Sequence, residues 1–309
     1  MPDEGSVQGD IKSEELWAQK GDLKLYMYRK YAGARPGPDN PRPVFFLVHG
    51  SSFSGRTGFD LTVPGKGEYS YMDEFVRRGF DVWTMDHDGY GRSDSSGGNS
   101  DIATSVGDLT AGCDVVEKET GQKSFAFYGQ SSGALRAALF AEKAPDRVER
   151  VILDAHVYTG DGSPTLIKRR EGLDNFKANT MRPVDKAFYL SIFTRDKPGT
   201  SEDGVGEALA ETELKLCSEV PTGTYLDMCS KLPVNDPTQI NCPVLIVRGE
   251  FDGIATEEDL MDFYMKLQNK DKQFVIIPGL AHVAPLGINR HRFWHVVHAF
   301  LTMPTRRDT

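Results

Sequence analysis

The chain has no apolar run approaching the ~18–20 residues of a membrane span, which excludes a helical membrane anchor. Positive charge is in deficit. The 309 residues hold 36 Lys and Arg against 45 Asp and Glu, a net charge of −9, with an isoelectric point near 5.3. Nucleic-acid binding calls for basic clusters that neutralise phosphates, so nucleic acid is excluded as a partner. Cysteine is scarce: Cys113, Cys217, Cys229 and Cys242 share no metal-type spacing. The opening MPDEGSVQGD lacks the basic and apolar regions of a secretion signal. Free thiols and a cytoplasmic setting are therefore expected. Internal repeats and low-complexity tracts are missing too. What remains is 39% hydrophobic and 26% charged, an ordinary globular balance. A chain of this length buries roughly 75% of its unfolded surface and needs no disulfide or metal staple.

Strand and helix patterns alternate along it. Residues 15–33 read as two strands, ELWAQKG and LKLYMYRKYAG, the second alternating as a half-exposed edge pair does. After a Pro/Gly-rich connector, Ala34 to Pro43, the run VFFLVHG stops at a glycine, as a strand buried on both faces should. Further buried runs are DVWTMD from Asp81, SFAFYGQ from Ser124, RVILDA from Arg150, PVLIVRG from Pro243 and QFVIIPG from Gln273. Helical patterns lie near 69–78, 102–119, 132–144, 256–267 and 290–302. This predicts an α/β fold, a mostly parallel eight-stranded sheet flanked by helices. From His156 to about Asp236 the rhythm breaks into amphipathic pieces punctuated by Gly and Pro. That stretch is too long for a plain loop and reads as a helical insertion after the sixth strand. The expected division is a core of 14–155 and 237–302, a cap at 156–236, and flexible ends at 1–13 and 303–309.

One motif carries chemistry. Gly129-Gln130-Ser131-Ser132-Gly133 fits G-x-S-x-G, and it follows a buried strand and opens a helix, which is the confirming context. A sharp strand-to-helix turn exposes the central hydroxyl and admits only small flanking residues. The helix amino terminus beside it offers N–H groups to a developing negative charge. A serine nucleophile needs a base, itself oriented by an acid. Asp252 follows the next-to-last strand and His282 the last, so Ser131, Asp252 and His282 stand in the order of the elbow fold. Asp252 also reads as a turn residue before Gly253, with Glu250 and Asp259 nearby, and His282 as a packed loop histidine. His49-Gly50-Ser51-Ser52 ends the first buried core strand. The Ser51 amide, with Ser52 as the fallback, pairs with the Ser132 amide as an expected oxyanion hole. His291, His295 and His298 share a helix face, but Arg292 stands where H-E-x-x-H requires Glu, so no metal is expected. His87 and His156, at strand ends, are candidate pocket residues.

Four segments in order, VFFLVHG, DHDGYGRSD (Asp86 to Asp94), FYGQSSG, and LIVRGEFDGIAT with PGLAHV, resemble the α/β-hydrolase superfamily in its cap-bearing serine-hydrolase branch. The resemblance spans residues 44–283. It implies a Ser131–His282–Asp252 triad, a cap over the pocket at about 156–236, no cofactor, and hydrolysis of an ester, amide, thioester or lactone. Asp154, after the strand that follows the elbow helix, is where some relatives carry the acid. The elbow holds Ser rather than Asp, a departure from dehalogenase and epoxide-hydrolase relatives, and no lipase-type HGGG is present.

The reading is a carboxylic-ester hydrolase acting on a small or medium-sized molecule. Carbon–carbon or lactone hydrolysis on the same triad, and a weakly catalytic ligand receptor, stay open. A small-molecule ester is the expected partner; neither nucleic acid nor membrane is, and a homodimer is left open. Residues 156–200 hold eight basic residues (Lys168, Arg169, Arg170, Lys177, Arg182, Lys186, Arg195, Lys197) against five acids. Residues 201–236 hold two, Lys215 and Lys231, against eight acids. The basic half suits a substrate carboxylate, which an Arg binds bidentately, or else a solvated face paired with the acidic half. Phe176, Met181, Phe188, Tyr189 and Phe193 line an acyl pocket or belong to the core.

Overall fold

The computed structural model describes residues 9–304. Two antiparallel strands, β1 (Ile11–Lys20) and β2 (Leu23–Ala32), precede β3 (Val44–Val48). The helices α1 (Gly55–Phe59) and α2 (Tyr71–Arg77) lead to β4 (Asp81–Met85). Next come α3 (Thr104–Thr120), β5 (Phe125–Gln130), α4 (Ser132–Lys143) and β6 (Val148–Asp154). An insertion follows: α5 (Pro164–Arg169), α6 (Leu173–Ala178), β7 (Met181–Pro183), α7 (Lys186–Thr194), α8 (Val205–Glu213), β8 (Glu219–Pro221) and α9 (Gly223–Ser230). The chain returns through β9 (Val244–Gly249), α10 (Glu257–Lys266), β10 (Lys272–Ile277) and α11 (Arg290–Leu301).

Eight strands form one sheet in the order β1-β2-β4-β3-β5-β6-β9-β10. Only the pairings made by β2 are antiparallel; the remainder run parallel. Buried on both faces, β3, β4 and β5 are continuously apolar or nearly so, as parallel strands roofed by helices must be. One face packs Phe46, Trp83, Phe127 and Leu153 against α3 and α4. The other packs Phe45, Tyr128, Leu245 and Val247 against α2 and α11. Among the described residues no helix is long and apolar enough to cross a membrane.

Three sequence expectations change. The strand β2 lies second from the edge rather than half exposed, and it is buried from Leu25 onward. Its charges go inward because each has a partner: Lys30 pairs with Asp60 and Asp73, and Arg29 with Asp81. The first strand starts at Ile11, so residues 11–13, expected to be flexible, are laddered to Tyr31, Ala32 and Lys30. Of the expected flexible ends, residues 1–8 and 305–309 lie outside the described residues. Within 156–236 the elements are not helical alone, because β7 and β8 pair as an antiparallel ribbon.

The insertion is fastened to the sheet by both apolar packing and buried polar ties. Tyr189, Ile192 and Phe193 of α7 and Leu209 of α8 pack with Phe53, Tyr90 and Val283 from the core loops. The buried Glu213 carboxylate accepts from both the amide and the hydroxyl of Ser54 at 2.8 Å. Burial raises the Glu213 carboxyl to about 7, against those same hydrogen bonds, which lower it.

The Arg29–Asp81 pair is bidentate, 2.8 Å on each arm, with both side chains fully buried. Removing Asp81 leaves the buried Arg29 guanidinium with only the longer 3.4 Å contact to Glu14 for a carboxylate. Asp81→Ala is expected to destabilise the protein by about 3–5 kcal/mol, read as a lower urea midpoint with an unchanged slope.

Candidate active site

Ser131 sits between β5 and α4 with φ 58° and ψ −124°, one of three non-glycine residues with positive φ among those described. The turn is tight because its neighbours are glycines. A Cβ on Gly129 would lie 2.2 Å from the Gly133 carbonyl oxygen, and one on Gly133 would lie 2.2 Å from that of Val48. Only hydrogen fits at either place, so the α4 amino terminus packs directly onto the end of β3. The Ser131 amide donates to the Asp154 carbonyl at 2.8 Å, which ties the strained turn to β6.

Two loops at the ends of β9 and β10 bring the other groups in. His282 Nε2 lies 3.1 Å from Ser131 Oγ, and its Nδ1 lies 2.9 Å from Asp252 Oδ1. Asp252 Oδ1 also accepts from the Ile254 amide at 2.9 Å. Burial pushes the Asp252 carboxyl up, but the His282 ring, the Ile254 amide and Arg248 more than offset it and hold it below the ordinary range. A charged Asp252 fixes the Nδ1–H tautomer of His282 and leaves Nε2 free to accept from the serine hydroxyl.

The alternative acids are engaged elsewhere. Asp154 is fully buried, accepts from the Tyr128 hydroxyl at 2.6 Å, and is driven well above the carboxylate range, chiefly by burial. The nearby Asp252 pushes it in the same direction. Glu250 accepts from the Gly279 amide, and Asp259 accepts from the amides of Tyr158 and Thr159.

Ser51 and Ser132 come together as well. Their hydroxyls are 2.7 Å apart and buried, and Ser51 and Ser52 line the same cavity as Ser131 and His282. The Ser132 amide is the first N–H of α4, which has no partner inside the helix. Gly50 passes close to the turn: a Cβ there would lie 2.9 Å from the Gln130 carbonyl oxygen.

Arg248, Ile192 and Tyr225 shape the site with no sequence signal of their own, while His49, Arg169 and Arg195 take places the sequence did not specify. Arg248 is buried and donates to the carbonyls of Gly249, Ala255 and Asp252, bracing the loop that presents the Asp252 carboxylate. His49 faces Gly50 O through Nδ1 at 2.8 Å and accepts from the His87 amide through Nε2 at 3.0 Å, which fixes its tautomer and the loop after β3. Ile192, Arg169, Arg195 and Tyr225 reach the cavity from the insertion.

Other candidates fall away from it. His87 is buried against Asp108, 3.0 Å from Nδ1, and His156 packs on Phe263; neither lines the cavity, because each points into the core. Of the five candidate acyl-pocket residues none lines it. Tyr189 and Phe193 are core, Phe176 packs on Tyr225, and Phe188 faces an outer groove. Among the described residues one group has metal-capable atoms close together: Asp196, Asp252 and His282, within 4.8 Å of one another. Two of these three already bond to each other. The three histidines of α11 form no such group.

Residues 66–285 match the family model of the serine aminopeptidases, S33. The chain belongs to that family of α/β hydrolases. The fold is shared with solved structures at low identity. An esterase from Thermogutta terrifontis is 19% identical with a TM-score of 0.65, covering 93% of this chain and 98% of that one. An enol-lactonase from Burkholderia xenovorans is 18% identical with a TM-score of 0.64, covering 93% and 100%. The carboxylesterase CesB from Bacillus subtilis is 16% identical with a TM-score of 0.63, covering 95% and 93%. An uncharacterized 31.7 kDa protein from the traX-finO intergenic region of Escherichia coli is 23% identical over 251 residues, 75% of this chain and 80% of that protein.

The two buried aspartates give the hydrolase a discriminating test. Asp252→Asn leaves His282 in the wrong tautomer and should lower kcat by about 10³–10⁴-fold. Asp154→Asn, which alters a carboxyl that does not touch His282 and that burial drives upward, should leave kcat within about an order of magnitude when assayed beside it.

Proposed function

We propose that the hydrolase cleaves a carboxylic ester of a small or medium-sized molecule through an acyl-enzyme on Ser131. The observation that carries this reading is the continuous hydrogen-bonded chain from Ser131 Oγ through His282 to Asp252, mounted on a turn of positive φ. In this reading His282 Nε2 takes the serine proton as Oγ attacks the ester carbonyl. The tetrahedral oxyanion lies against the Ser51 and Ser132 amides. His282 then gives the proton to the departing alkoxide, and a water molecule repeats the sequence on the acyl-serine. Asp252 holds the imidazole throughout and stabilises its charged form.

The scale of the site supports a compact reacting group. The cavity over Ser131 encloses about 30 Å³, far below the ~300–1,000 Å³ typical of sites for drug-sized ligands. An open groove of about 740 Å³ adjoins it and is also lined by Arg169, Arg195 and Tyr225. Residues 156–236 act in this proposal as a cap: the acyl group enters beneath α7 while the remainder of the substrate extends into the groove.

The test is release of p-nitrophenolate from p-nitrophenyl esters of increasing acyl length, with wild type and Ser131→Ala side by side. Wild-type turnover falling steeply beyond short acyl chains, with none in Ser131→Ala, is the expected result. A mass increase equal to the acyl group, mapped to Ser131 after rapid quenching, accompanies it. Turnover by Ser131→Ala at the wild-type rate sinks the proposal.

A further inference from the structure

Three arginines from the insertion crowd one tyrosine at the cavity. The guanidinium carbons of Arg169 and Arg182 lie 3.8 and 4.0 Å from the centre of the Tyr225 ring. Arg169 and Arg195 line the space over Ser131 directly. Arg182 stands behind them, donating to the Ser51 carbonyl and to Ser52 Oγ at 2.9 and 3.0 Å.

These charges are poorly compensated. Arg195 has one carboxylate partner, Asp196, at 3.2 Å. Neither Arg169 nor Arg182 has any among the described residues. The hydrogen-bond contact of the Arg169 guanidinium is the Met228 sulfur at 3.9 Å. Arg182 is 5% exposed, and its Nε is buried without a partner. Buried cations are ordinarily paired, because an uncompensated charge out of water is costly. Here a surplus of positive charge is held in place around an empty space. The field acts on Tyr225 as well: burial alone raises a phenol, yet Arg169, Arg182 and Arg195 bring this one down to about 7.

The inner cavity carries charge of one sign. Its lining holds Arg169 and Arg195 and no carboxylate. The same two arginines also face the outer groove, where Lys168, Asp196, Glu250 and Asp252 make the lining mixed. An anion meets these arginines without a lining carboxylate beside them only next to the Ser131 hydroxyl. Guanidinium groups suit a planar carboxylate, which they bind through two parallel N–H donors.

We propose that Arg169 and Arg195, with Arg182 behind them, form a subsite for a carboxylate carried by the substrate, so that the ester cleaved at Ser131 is a short one with a free acid group. The inference deepens the ester-hydrolase reading and depends on it for turnover, but not for binding. The small cavity keeps the two groups within a few bonds of each other. The acid group belongs either to the acyl half or to the alcohol half of the ester, and both place the same carboxylate against the same arginines.

Two pairs of probes separate these sources. Monomethyl succinate against dimethyl succinate places the acid on the acyl side, and acetoxyacetate against methyl acetoxyacetate places it on the alcohol side. Hydrolysis followed by pH-stat should favour the anionic member of at least one pair by about 10-fold or more in kcat/KM, the scale of one charge-assisted hydrogen bond. In Arg169→Gln and Arg195→Gln that ratio should collapse toward one, chiefly through KM. A ratio unchanged in both variants, or a neutral ester turned over equally well or better in both pairs by the wild type, overturns the subsite.

Calorimetric titration of Ser131→Ala with monomethyl succinate, acetoxyacetate and their neutral partners reads the same preference without turnover and with every arginine in place. Should the wild type hydrolyse no ester while Ser131→Ala still binds an anionic member about 10-fold more tightly, the carboxylate subsite stands and the ester reading falls. Hydrolysis of neutral esters with no anionic preference in either measurement leaves the ester reading standing and removes the subsite.

Discussion

The architecture of the site depends on a backbone conformation that a serine does not adopt unaided. Ser131 at φ 58° and ψ −124° lies in a strained region, of the kind that persists only where surrounding structure over-determines it. Here the constraint is close packing: the α4 amino terminus meets the ends of β3 and β5 with no room for a single added carbon at Gly129 or Gly133. The hydrogen bond from the Ser131 amide to the Asp154 carbonyl then ties the turn to β6. Strain at one residue is offset by a sheet whose central strands are buried on both faces, so the hydroxyl is presented from the edge of the packed core.

Electrostatics moves the buried acids in opposite directions. Asp252 and Asp154 are both buried, and burial pushes both upward. Asp252 has an imidazole, a backbone amide and Arg248 to counter it, whereas Asp154 has chiefly a phenol. The charged one faces His282. Glu213, raised to about 7 by burial, ties the insertion to the loop after β3. Its proton is retained in the fold and lost by the unfolded chain between about pH 4.5 and 7. The contribution of this group to stability is thus present at the acid end of that window and declines as pH rises through it. The insertion and the loop after β3 are therefore held by apolar packing with a carboxyl group whose charge state is linked to folding.

The central motif was legible because chemistry and local geometry coincide there. G-x-S-x-G between an apolar run and a helical pattern specifies a tight turn, and the glycine contacts in the structure give the steric reason. The mostly parallel sheet followed from alternation, since parallel strands need helical crossovers. Less legible were features that depend on pairing across the chain. The polar residues Lys24, Arg29 and Lys30 made β2 look half exposed, but Asp81, Asp60 and Asp73, distant in sequence, neutralise Arg29 and Lys30 and allow burial. The three-residue strands β7 and β8 are too short to show a period. His87 and His156 stood at strand ends where a pocket was expected, and only packing turned them inward.

The sequence by itself determined the fold class and the tight turn at Ser131, because these follow from local steric rules and from hydrophobic periodicity. Which loops stand beside that turn was an expectation taken from the order of the elbow fold. The charge imbalance of the insertion was visible as composition, with eight basic residues in its first half. Which of those eight stand at the cavity was decided only by the tertiary structure. Arg169 comes from the end of α5, Arg182 from the ribbon and Arg195 from the end of α7, and they converge on Tyr225 of α9 because the apolar face of α7 packs on Phe53. Composition sums charge along a chain, whereas a binding site depends on distances between side chains that the chain separates, and folding sets those distances.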